Sequence, residues 1–190
     1  MTDQPVRVLH VEPDEDFAAT AAESLRRFAP EVALDRVAHA AEATDRLDAD
    51  TYDAVVAAGD LPDGSGIALL ATVREADPDL PFLLVTGTGS EAVAAEAVRE
   101  GATDYLRKGE EGVFGTLAAR LRTAVTGYRA ELARRERSKE LATLHAANAI
   151  LAADRPLDDR LSELATALPA GWRRPEHTAA RIRTDGRSCA

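Results

Sequence analysis

The chain is short of the residues that fasten small secreted proteins. Among its 190 residues there is one cysteine, Cys189. No disulfide framework and no cysteine-rich metal site can therefore be built within it. Lysine is nearly absent as well: Lys108 and Lys139 are the only two, and the other basic residues are arginines. No apolar run approaches the roughly 20 residues that span a bilayer. The opening Met1-Thr2-Asp3-Gln4-Pro5 has no basic-then-apolar signal pattern. These absences predict a cytoplasmic protein with no membrane partner. An excess of positive charge is missing too, with 33 Asp+Glu against 23 Lys+Arg and a net charge of −10. Such an acidic field disfavours nucleic acid, whose binding rests on neutralising phosphates. The acid excess suits a salt-rich cytoplasm; a GC-rich genome would produce the same bias.

What is present is a globular chain. Forty-five per cent of it is hydrophobic, and its length suits one domain with an extension. Strand-length and helix-length patterns alternate along the first two thirds. VRVLHV (6–11) is a short apolar run, followed by a helical pattern over 14–28 on Phe17, Ala21, Leu25 and Phe28. The stretch 31–38 is a more polar, edge-like strand, and 40–49 is helical. DAVVAA (53–58) and PFLLVT (81–86) are continuous apolar runs, as in strands buried on both faces. Helices are expected at 66–76 and 90–100, with a fifth strand at 103–108. Five such repeats imply right-handed crossovers and a parallel sheet covered on both faces. Ligands of such sheets sit beyond the carboxyl ends of the strands. The positions there are Glu12 and Asp14, then Ala58, Gly59 and Asp60, then Thr86 and Gly87, and finally Lys108.

Three stretches carry a resemblance: VLHVEPDEDF, YDAVVAAGDLPDGSG and PFLLVTGTGSEAVAAEAVREGATDYLRKG. Together they make residues 5–125 resemble the receiver domain of two-component response regulators. The resemblance implies an α/β, flavodoxin-like (βα)5 doubly wound parallel sheet with strand order 2-1-3-4-5. It also implies a pocket of five groups: two acids that hold magnesium, an aspartate that takes up phosphoryl, a hydroxyl and a lysine. A carboxylate and a phosphate repel unless a hard cation and a lysine neutralise them. In this chain Glu12 fills the first acid slot and Pro13 the second. Ala58 stands in the phosphoacceptor slot, Thr86 in the hydroxyl slot and Lys108 in the lysine slot, with Tyr105 at the aromatic switch position. A methyl group takes no phosphoryl group, and the proline side chain offers no ligand. The expectation is a degenerate pseudo-receiver with no catalytic residue, no cofactor and at most weak magnesium binding through Glu12 and Asp14. Lys108 is expected either as a solvated charge or paired with Glu12 or Asp14. Thr86 alternatively caps the helix near Ser90, and Tyr105 is alternatively a packed strand aromatic. GTGS (87–90) lacks the third glycine of a dinucleotide loop. His10 and His39 have no ligand spacing, and His145, which lacks the acid that follows the phosphorylatable histidine of a kinase dimerisation helix, is read as structural.

Beyond the receiver-like part the pattern stays helical to about Ala153. Leu117, Leu121, Val125, Tyr128 and Leu132 form one stripe; Leu141, Leu144, Asn148 and Leu151 form a second in shifted phase. Gly127 is read as the end of the domain's own last helix. The stripes suit a two-stranded coiled coil with a skip in its heptads, with Asn148 controlling register. A helix lying against its own domain is the alternative. An amphipathic helix over 154–172 follows, capped by Asp154, with Leu157, Leu161, Leu164 and Leu168 as its stripe. Then come a strand, an Asp-Gly turn and a returning strand over 178–190. The tail resembles the opening of a GAF-like sensor domain of archaeal and bacterial histidine kinases. The domains expected are thus 1–127 receiver-like, 128–153 helical linker and 154–190 incomplete sensor segment.

No enzyme motif or DNA-binding helix pair follows. The function expected is a receiver-like signalling module that binds a histidine kinase or other signalling protein without being phosphorylated. A homodimer through 128–153 accompanies it. Two other readings stay open: a working receiver phosphorylated at Asp60 or Asp14, and a small-anion-binding regulatory domain built on Glu12, Asp14, Thr86 and Lys108.

Overall fold

A computed structural model describes residues 5–87, 91–171, 180–184 and 187–189. Five parallel strands form one sheet: β1 (Val6–Val11), β2 (Val32–Val37), β3 (Ala54–Ala58), β6 (Phe82–Thr86) and β7 (Asp104–Arg107), in the order β2-β1-β3-β6-β7. Counting sheet strands alone, that is 2-1-3-4-5. A small hairpin, β4 (Asp60–Leu61) with β5 (Gly64–Ser65), interrupts the count and was not anticipated. The apolar runs predicted as two-faced strands are buried along their whole length in β3 and β6.

Alternation along each strand divides the core in two. Leu9, Val11, Val55, Ala57, Phe82 and Leu84 face α2 (Ala40–Ala49) and α3 (Gly66–Ala76). Val8, Ala54, Val56, Leu83 and Val85 face α1 (Glu15–Phe28) and α5 (Val113–Ala152). Each buried valine, leucine or phenylalanine among them contributes about 1.5–3 kcal/mol over exposure. Helix α1 starts where Asp14 accepts a bond from the Phe17 N–H at 3.0 Å, with Glu15 and Asp16 in the first turn and Arg26 and Arg27 in the last, each matched to the helix dipole. Phe28 is 45% exposed rather than on the inner face, because the helix's buried line ends at Leu25 and Ala29 closes it.

Two corrections concern α5. Gly127 does not end it: the helix runs unbroken from Val113 to Ala152. Leu117, Leu121 and Val125 are buried in the sheet's second core, so the first stripe belongs to the domain itself. Immediately past Gly127, the Tyr128 hydroxyl donates to Asp77 at 2.7 Å and Arg129 grips both oxygens of Asp53 at 2.7 Å. Those bonds anchor the helix through the glycine. They make the first compact unit end at Arg129, with a second unit from Ala130 onward.

The second unit holds the rest of α5, then α6 (Leu157–Ala167), a 3-10 turn (Leu168–Gly171) and the hairpin of β8 (Ile182–Thr184) with β9 (Arg187–Cys189). Helix α6 packs beside that hairpin. Asp154 does not cap α6: Pro156 stands at the cap position, with no side-chain bond. On its stripe Leu161 is buried and Leu157 is 51% exposed. The Asp-Gly turn lies outside the described residues. No helix among the described residues is long and apolar enough to cross a membrane.

Candidate functional site

The sheet's carboxyl end gathers the residues singled out from the sequence. Glu12 is the first residue past β1, and its side chain shares the face of Val8 and His10, beneath α1 and α5. It is fully buried. One carboxylate oxygen lies 2.7 Å from the Lys108 ammonium, and the other accepts the Asp14 N–H at 3.0 Å. Lys108 follows β7 and is registered there by its own N–H, which bonds the Thr86 carbonyl at 2.9 Å. Its ammonium also lies 4.3 Å from the centre of the Phe17 ring, a cation–π contact that adds to the ion pair. Of the partners foreseen for Lys108, Glu12 is the one it takes.

Asp14 is engaged elsewhere, as the cap of α1. Arg36 closes the first loop from the side, donating to the Glu12 carbonyl at 3.1 Å and the Pro13 carbonyl at 3.3 Å. Burial, then the positive charges of Lys108 and Arg36, push the His10 imidazole down to about 4, so it is neutral at pH 7.

The end of β3 is built for close approach. Ala58 is buried and registered opposite Val85. A Cβ on Gly59 would come within 2.8 Å of the Thr86 hydroxyl oxygen, and one on Gly66 within 2.3 Å of the Ala58 carbonyl oxygen. Only glycine lets the chain leave the strand past Thr86 and begin α3 so near its end. Asp60 lies two residues on and is exposed, its backbone paired with Ser65 in the β4–β5 hairpin. The register of Ala57 and Ala58 with Leu84 and Val85 leaves no two-residue slip that would bring Asp60 to the strand end. Asp63, in the same hairpin turn, accepts the N–H groups of Ala40 and Ala41 at 2.9 Å each. Those bonds, then, hold its carboxyl below the usual carboxylate range. Thr86 is buried beside this turn; the start of α4 (Glu91–Arg99), which it was alternatively expected to cap, lies at the edge of the undescribed residues 88–90. Tyr105 is half-buried, packed against the first core, and its enclosed hydroxyl has no hydrogen-bond partner among the described residues.

A divalent cation does not fit this pocket. Its remaining buried carboxylate already has a lysine and a backbone N–H on its two oxygens. Asp14 serves α1, Pro13 and Ala58 offer no side-chain ligand, and no cluster of three metal-ligating side chains occurs among the described residues. The structure thus brings Glu12, Thr86 and Lys108 together and turns Asp14 and Asp60 to other uses. Sequence reasoning missed Arg36, whose role depends on a strand neighbour. It read Phe17 only as helix core, though helical spacing placed it on the inward side.

The comparisons with known proteins agree with this fold. The chain is 40% identical over 103 residues to the photosynthetic apparatus regulatory protein RegA of Rhodovulum sulfidophilum, covering 53% of this chain and 54% of that protein. It is 35% identical over 117 residues to the transcriptional regulatory protein CutR of Streptomyces coelicolor, covering 62% of this chain and 52% of that protein. It thus spans about half the length of these two relatives, and less of others such as DctD of Rhizobium meliloti, at 15%. Among solved structures, the signal receiver domain of an HD domain-containing protein from Pseudomonas fluorescens matches with a TM-score of 0.63 at 27% identity, over 70% of this chain and 96% of that one. The non-phosphorylated HemR receiver domain from Leptospira biflexa matches with a TM-score of 0.56 at 26% identity, over 64% of this chain and 94% of that one. The model of the response regulator receiver domain matches residues 8–114, more than half of the chain, and the protein belongs to that family.

Proposed function

We propose that the protein is a pseudo-receiver: a receiver-domain module that signals by binding other proteins and takes up no phosphoryl group. The observation that carries this reading is Ala58 at the end of β3. Phosphoryl uptake needs an oxygen lone pair in line with the phosphorus, and a methyl group has none. The second support is the ion pair beside it. Lys108 supplies the positive charge that a cation would otherwise bring to Glu12, so the pocket is neutralised from within. Asp14 and Asp60 are poor substitutes as acceptors, one capping a helix and the other exposed in a hairpin.

The partners proposed are a histidine kinase or another signalling protein, together with a second copy of this chain through residues 128–153. The tail from 154 is proposed as a GAF-like sensor segment; a helix beside an antiparallel hairpin supports it. The transcriptional role in the printed name of CutR belongs to a protein about half of which this chain spans. The acidic balance of the chain speaks against carrying nucleic-acid binding over from it.

The test is intact-protein mass after incubation with acetyl phosphate and magnesium. The native chain is measured beside a variant carrying Pro13→Asp and Ala58→Asp. The native mass is expected to stay unchanged, while the variant gains one phosphoryl group. A native chain that gains one too would overturn the reading, and the modified residue would then be mapped, starting with Asp60.

A further inference from the structure

Three leucines of α5 stand on one side of the second unit and are largely uncovered by the described residues. Leu141 is 57% exposed, Leu144 59% and Leu151 44%. Asn148, also exposed, lies in the same line. The spacing 141, 144, 148, 151 is the alternation of three and four that keeps a seam on one face of a helix. At roughly 100° per residue, Ile150 projects from the opposite side to Leu141, and Ile150 is the residue that the chain does bury. The fold thus consumes one side of this helix and leaves the leucine side bare. Further up the helix no comparable seam is free. Leu117, Leu121 and Val125 are in the receiver core, Tyr128 is bonded to Asp77, and 133–140 is polar apart from one alanine and wholly exposed.

We infer that the Leu141–Leu151 face of α5 pairs with the same face of a second copy of this chain, parallel and in register. This inference rests on the homodimer reading above and narrows it from 128–153 to the 11 residues of the second stripe. Two features select the copy and its direction. The first is Asn148. The stripe assigns Leu141 and Asn148 to one kind of seam position and Leu144 and Leu151 to the other. A single asparagine at the first kind meets its own copy only in register, where its amide both donates and accepts across the seam. Any shift would bury it against leucine, with its hydrogen-bonding groups unmet. The second feature is hydrogen-bonding complementarity. Glu140 and His145 flank the seam five residues apart, on its two opposite sides. In a parallel, in-register pair the side chain just before one seam position faces the partner residue five places later. Glu140 of each copy then faces His145 of the other, a carboxylate that can accept opposite an imidazole N–H that can donate, made twice. Both residues are exposed, and neither has an ion-pair partner among the described residues. An antiparallel pair would set Leu141 near Leu151 and would lose both features. The seam is short, so the dimer should dissociate on dilution.

Directed cross-linking of the full chain tests the proposal. With Cys189→Ser in the background, Leu144→Cys is expected to form a disulfide-linked dimer under mild air oxidation. Thr143→Cys, one residue away on a different side of the helix, is expected to stay monomeric. Mixing Leu141→Cys with Leu151→Cys chains is expected to give links only between like positions. Preferential 141-to-151 links would overturn the parallel register. In parallel, sedimentation of the native chain is expected to show a monomer–dimer equilibrium. Leu144→Asp should abolish it without changing receiver melting, since the site is exposed. His145→Glu, which sets a second carboxylate opposite Glu140, should weaken the dimer, and adding Glu140→Lys should restore it. A native chain that is monomeric at every concentration would overturn the proposal and leave the stripe to a different protein. None of these readouts depends on phosphoryl uptake, so the dimer and the pseudo-receiver reading fail separately.

Discussion

Glu12 and Lys108 illustrate how one position changes the meaning of its neighbours. A buried carboxylate is costly unless it is paired and hydrogen-bonded. Here the lysine pairs with one oxygen at 2.7 Å and the Asp14 N–H bonds the other at 3.0 Å. Removing the lysine would strand the charge. Lys108→Met is therefore expected to lower stability by about 3 kcal/mol, read as a fall in the urea midpoint. Adding Glu12→Gln should recover much of that loss, because a neutral amide needs no counter-charge. A Lys108→Met chain as stable as the native one would mean that the pair contributes nothing. The identities at this site were legible in the sequence, since four strand ends named the candidate positions. The pairing was not. Whether Lys108 would turn to Glu12, to Asp14 or to solvent depends on Asp14 being spent as a cap and on Phe17 lying under the ammonium, and neither follows from spacing.

At the scale of the element, α5 shows what a single glycine can and cannot do. Glycine in a helix interior costs roughly 0.5–1 kcal/mol relative to alanine, which made Gly127 a reasonable place to expect an end. Yet residues on both sides are held: Val125 in the core before it, then Tyr128 on Asp77 and Arg129 on Asp53 after it. A Cβ at Gly127 would meet nothing within 4 Å, and its backbone is not in the left-handed region. Gly127→Ala is thus expected to raise stability by about 0.5–1 kcal/mol, seen as a higher urea midpoint with an unchanged slope. A loss of stability would mean that the helix needs to bend there. The strands and first four helices were readable to within about two residues, because alternation and 3.6-residue spacing are local. That the helix is still held to the first unit past Gly127 was not readable, because it rests on bonds from Tyr128 and Arg129 to residues more than fifty positions away. The same holds for α6. Its apolar stripe was plain, but the expected Asp154 cap depended on loop geometry, which places Pro156 there instead.

For the whole molecule, the two compact units differ greatly in how much they bury. The first has a continuous apolar core on both faces of a five-stranded sheet. The second, among the described residues, buries only Ile150, Leu161 and Ala165 fully enough to count as core. Two helical segments and a two-stranded hairpin with so small a core are marginal by themselves. The second unit should therefore open well before the first unfolds, and a single two-state transition should not describe the chain. Hydrogen exchange followed residue by residue is the appropriate measurement. Amides of β1, β3 and β6 are expected to exchange only through global unfolding, while those of α6 exchange far faster. Pairing of the leucine face would alter this pattern in one direction only. Mass action favours the state that binds, so protection around Leu141–Leu151 should rise with protein concentration while protection in β3 stays constant. Concentration-independent exchange over 141–151 at levels where sedimentation finds dimers would mean that the copies meet somewhere else. Uniform protection across both units would mean that the second has stability that its buried side chains do not account for.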